Sequence, residues 1–101
     1  MKNTRMKPEA RKEDILRAAL ALAIQHGYTE LSRERIADAA GVTGPAIQYH
    51  FATMPQFRRD LMRYAVRERC AIVVAQGLAL RDPQAQKADD ELRHAARRSL
   101  F

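Results

Sequence analysis

The stretch "GVTGPAIQYHF", residues 41–51, restricts the fold more than any other part of this chain. Gly41, Gly44 and Pro45 interrupt one helical pattern, yet helical spacing resumes at once, with Ile47 and Phe51 four apart and pointing inward together. Gly44, Pro45, Gln48 and Tyr49 then share the opposite face. Two short helices joined by a tight turn meet both conditions. Gly41 permits the turn, Val42 fills the corner between the helices, and Thr43 caps the second one. Pro45 is tolerated in the first turn because its missing N–H had no helical partner there.

Similar punctuation divides the rest of the chain. Residues 1–7, "MKNTRMK", carry Lys2, Arg5 and Lys7 without an acid and read as a flexible basic arm. Pro8 opens a helix with Glu9, Glu13 and Asp14 near its positive end, and Ile15, Leu16, Ala19, Leu20, Ala23 and Ile24 recur at helical spacing until Gly27 stops it. Ser32 caps a second helix in which Ile36, Ala37 and Ala40 share a face. Thr53 repeats the cap before Pro55 and a long helix to about Leu80. Asp82 and Pro83 then start a last helix containing Ala85, Ala88, Leu92, Ala95 and Ala96. The expectation is an all-α chain. A three-helix domain with its helix-turn-helix occupies residues 8–53, and residues 54–101 form a helical dimerisation region of one long fourth helix and a short C-terminal helix.

Charge narrows the partners. Lys and Arg number 18 against 12 Asp and Glu, a formal net charge of +6, which favours a polyanion, most simply nucleic acid. An apolar fraction of 47% is that of a folded domain. Cys70 is the only cysteine, so no intramolecular disulfide forms, and its neighbours Ala71, Ile72 and Val73 read it as a small buried hydrophobe. "ALALAI" is too short to span a membrane, so a soluble, cytoplasmic protein is expected. His26, His50 and His94 lack metal-ligand spacing, and no catalytic arrangement of Ser, His, Cys or paired carboxylates is present. Neither an enzyme nor a metal or cofactor is therefore expected. Arg58, Arg59, Arg63, Arg67 and Arg69 read as a solvated helix face.

The two short helices, from Ser32 to Ala40 and from Thr43 to Phe51, have the layout of a helix-turn-helix, whose second helix enters the DNA major groove. Gln48 has the chemistry to read adenine N6 and N7 together. Tyr49 offers a hydroxyl to a phosphate and a ring to a sugar or a thymine methyl, and Arg33 suits a phosphate. His50 packs or caps locally as readily as it touches DNA.

The run "ILRAALALAIQHGYTELSRERIADAAGVTGPAIQYHF" resembles the DNA-binding region of the TetR family of transcriptional repressors. The likeness covers residues 10 to 62 and lies in the IL-x-AA helix, the glycine, the Ser cap, IA-x-x-AGV and the closing His-Phe. It implies DNA contacts at Ser32, Arg33, Thr43, Gly44, Pro45, Ala46, Gln48, Tyr49 and His50, and a repressor that occupies a palindromic operator in double-stranded DNA. Two positions depart from the family pattern. Gln48 stands where the usual tyrosine falls, with the aromatic displaced to Tyr49, and Met54 replaces the lysine that starts the fourth helix. Arg58 or Arg59 is then the candidate to supply the missing phosphate contact.

About 50 residues follow Phe51, fewer than the family's inducer-binding domain requires, so no small-molecule effector is expected. Those residues suit a homodimer instead. Ala85, Ala88, Leu92, Ala95 and Ala96 form a narrow apolar stripe, and Ile72, Val73, Leu78 and Leu80 exceed what a three-helix core needs. The alternative reading is a helical protein–protein interaction module that keeps the scaffold without the DNA binding.

Overall fold

The computed structural model describes residues 7–99, which form seven α-helices and, among the described residues, no strand. Lys2 and Arg5 of the basic arm lie outside the described residues; Lys7 is exposed at the start of the first helix. α1 spans Pro8–His26 and closes at Gly27, whose φ of 94° suits a residue without a Cβ. α2 spans Arg33–Ala40; the Ser32 hydroxyl accepts the Arg35 N–H at 3.1 Å, and Gly41 ends the helix left-handed at φ 70°. α3 spans Gly44–His50, with Thr43 accepting the Ala46 N–H at 3.2 Å. α4 spans Met54–Arg67, with Thr53 accepting the Gln56 N–H at 3.2 Å. Each of these caps was legible because it is a contact between residues three apart.

The expected long fourth helix is broken. α4 ends at Arg67, Arg69 turns left-handed at φ 56°, and the Cys70 N–H donates to the Ala65 carbonyl at 2.8 Å. α5 then spans Ala71–Ala79. The expected single last helix is likewise two, α6 at Pro83–Gln86 and α7 at Asp90–Arg98, the second capped by Asp89. The cause is the apolar content of "AIVVAQGLA". A helix that is apolar around most of its circumference cannot bury one face and expose the rest, so it folds back into the interior. There α5 packs against α1, α4, α6 and α7, burying Val73, Val74, Ala75 and Gly77. One core runs from Ile15 in α1 to Ala96 in α7.

That packing also relocates the expected dimer residues. Val73, Ala85, Ala88, Leu92 and Ala96 are buried in the protomer's own core, while Leu78 and Ala95 are half-buried. Ile72 and Leu80 keep 47% and 60% of their surface. Cys70 is half-buried at the cap of α5 rather than fully enclosed.

Two polar contacts tie the C-terminal helices to the first three. Gln76 of α5 accepts the Tyr28 N–H at 2.9 Å and donates to the Ala23 carbonyl at 2.8 Å, satisfying both groups beside the last turn of α1. The Tyr28 hydroxyl donates to Asp82 at 2.7 Å, and Asp82 also caps α6 by accepting the Gln84 N–H at 2.8 Å.

Candidate nucleic-acid interface

α3 is held from its inner side only. Ile47 is fully buried and Phe51 is 1% exposed, and the Phe51 ring meets Phe57 edge-on with centroids 5.1 Å apart. The Lys12 ammonium of α1 lies 5.3 Å from the Phe51 ring centroid and 3.3 Å from Asp60 of α4, so one side chain ties α1 to both neighbours. Anchored in this way, the short helix presents its other side to solvent. Pro45, Gln48 and Tyr49 are exposed, and Gly44, Ala46 and His50 are half-buried. Tyr49 is 76% exposed, the least covered large hydrophobic side chain among the described residues.

The residues expected at the interface fall at the start of α2 and along α3. Ser32 and Thr43 are exposed, and each hydroxyl already accepts a backbone N–H. Each therefore has its own O–H left to donate, the arrangement a phosphate oxygen needs. Arg33 is half-buried at the first turn of α2, and its Nε is enclosed without a partner among the described residues. Gly27 and Gly41 have positive φ and Gly44 does not. A Cβ at Gly44 meets nothing within 4 Å, so the space beside it is open to a partner.

His50 stacks edge-on against Tyr49, with centroids 5.0 Å apart. Burial, then the positive charges of Arg11 and Lys12, hold its pKa below the ordinary histidine value. Both effects favour the neutral imidazole.

Sequence reasoning missed Arg11. It is half-buried and lines a cleft with Pro8, Ala46, Tyr49 and His50, at the contact between α1 and α3. The available signal was its place in the first turn of α1, four positions after Lys7 at the N-cap. Arg58 and Arg59, candidates for the absent lysine, line a groove with Tyr28, Thr29, Asp82 and Gln84, where α4 meets α6. Met54 is half-buried at the first turn of α4 and packs against the core.

No helix among the described residues is long and apolar enough to cross a membrane, and no group of three or more His, Cys, Asp or Glu among them is placed to hold a metal ion. The family model for bacterial regulatory proteins, tetR family, matches residues 15–60, which run from α1 into the second turn of α4. Neither a curated protein nor a solved structure matches the chain.

Proposed function

Because the chain carries, in residues 15–60, the N-terminal helix-turn-helix domain of the tetR family of bacterial DNA-binding transcription regulators, we propose that it represses transcription by occupying a palindromic operator. Regulation then works by occupancy rather than by chemistry, in the cytoplasm where the promoter is. The observation that carries this reading is the one-sided anchoring of α3. Ile47 and Phe51 fix the helix from within, and nothing in the described chain covers Gln48 or Tyr49. Gln48 is assigned as the base reader, with Ser32, Thr43 and Arg33 on phosphates.

A seven-residue recognition helix buries little surface by itself, which favours a two-fold homodimer reading two half-sites. Ile72 and Leu80, with half-buried Leu78 and Ala95, are the residues of the expected interface that the protomer core leaves available. On this reading the regulator acts without a small-molecule effector. A cleft of about 420 Å³, lined by Lys12, Asp60, Arg63 and Arg67 among others, is an open groove.

Selection from a random duplex library tests the reading. It should return a two-fold symmetric site, with light scattering giving a dimer at micromolar concentration. Gln48→Ala should weaken the selected site by about 1–3 kcal/mol and flatten preference at one base position. No binding to any duplex at low salt would favour the protein-interaction alternative, whose grounds are Gln48 and Met54 at positions where the family has tyrosine and lysine.

A further inference from the structure

A cleft of about 270 Å³ lies between the N-terminal turns of α1 and the outer side of α3, walled by Pro8, Arg11, Ala46, Tyr49 and His50. Of the lysines and arginines within α1, Lys12 is 3.3 Å from Asp60 and Arg17 is 2.8 Å from Asp14. Arg11 has no carboxylate partner among the described residues and keeps its charge for something else.

His50 shares the cleft with that guanidinium. The charged groups facing it are Arg11 and Lys12 from α1, with Asp60 of α4 holding Lys12; Tyr49 of its own helix stacks on the ring. Partial burial and then the two cations disfavour its protonation in the free protein. An anion between Arg11 and His50 reverses that balance, because an opposite charge nearby favours the imidazolium. The cleft opens beside Tyr49, so an anion seated in it lies on the flank of the face that carries Gln48.

We propose that this cleft seats one backbone phosphate of duplex DNA, gripped by the Arg11 guanidinium and by His50 in its protonated form. The inference rests on the DNA-binding reading above. It requires the complex to take up a proton from solvent. The imidazole in the complex has a higher pKa than in the free protein, so affinity is flat above the upper value and rises as pH falls through the interval between the two. Each unit of that interval is about tenfold in affinity.

The test is a salt titration of duplex binding with the whole chain at about pH 6 and about pH 8, a range in which histidine is the side chain that ordinarily titrates. Arg11→Gln should lower the slope of log affinity against log salt by about 0.9 at either pH, the share of one phosphate contact. Arg17→Gln, on the same helix but paired with Asp14, should leave the slope unchanged. Wild type should bind severalfold tighter at the lower pH, and His50→Gln should remove that difference. Equal slopes for Arg11→Gln and Arg17→Gln, or a pH dependence that survives in His50→Gln, would overturn the seat. Inorganic phosphate at matched ionic strength should compete with duplex better than chloride does in wild type and lose that advantage in Arg11→Gln. Wild type that binds no duplex at all would instead remove the DNA-binding reading, and the seat with it.

Discussion

Gly77 has the tightest surroundings of the four glycines. A Cβ there would stand 2.6 Å from Met62 Cε and 2.7 Å from Ala85 Cβ. The methionine tip can swing aside, but the alanine Cβ moves only with its helix. In an exposed helix, Gly→Ala gains up to about 1 kcal/mol from backbone entropy, whereas overpacking a filled core costs about 1–3 kcal/mol. Overpacking therefore wins, and Gly77→Ala should lower the urea midpoint without changing the slope of the transition. A raised midpoint would mean that α6 yields freely. The residue scale is also where the sequence was most legible. Ser32, Thr43, Thr53 and Asp82 each cap the helix that their identity announced. The crowding at Gly77 was not legible, because its cause lies in α4 and α6, at a distance in sequence.

At the scale of the helices, the break after Arg67 decides the shape of the C-terminal half. No Gly or Pro lies between Pro55 and Gly77, so local signals let the helix run on. One left-handed backbone conformation costs on the order of 1–2 kcal/mol, whereas burying a single valine side chain gains about 1.5–3 kcal/mol. Val73 and Val74 are both fully buried by the fold-back, so the turn is favoured despite its strain. Asp89 secures it from the far side. One oxygen accepts the Leu92 N–H at 2.7 Å, and the other accepts the Arg69 guanidinium at 2.9 Å. Arg69, then the Leu92 N–H, holds the Asp89 carboxyl below its ordinary pKa, so its contribution is present above the unfolded carboxylate value and is lost as pH falls through the folded one. Asp89→Ala should lower the melting temperature at neutral pH and reduce helical signal, and Asp89→Ser should recover most of the loss by restoring the cap alone. If Ser recovers nothing, the ion pair rather than the cap holds α7.

Across the whole molecule, Tyr28 and Gln76 join the family-matched part to the C-terminal helices. Tyr28 is 4% exposed, and burial, followed by its hydrogen bond to Asp82, raises its pKa well above the ordinary phenol value of 10. The folded chain thus favours the neutral phenol. That stabilisation is complete below about pH 10 and is lost as pH rises toward the folded pKa. Urea unfolding at rising alkaline pH should show wild type losing stability more steeply than Tyr28→Phe. At neutral pH the variant should be weaker by about 0.5–1.5 kcal/mol, the net worth of one hydrogen bond. Identical alkaline slopes would show that Tyr28 does not couple the two halves.

The sequence by itself determined the helical class, the first three helices with their caps, and the outward face of α3. Each follows from side chains within about four positions of one another, the range over which helix periodicity and capping operate. Tertiary structure alone decided where Val73, Ala85, Ala88, Leu92 and Ala96 are buried, since an apolar stripe has the same spacing whether its own chain or another covers it. It also decided that Arg11 of α1 stands beside His50 of α3, a proximity that packing creates between residues far apart in the chain.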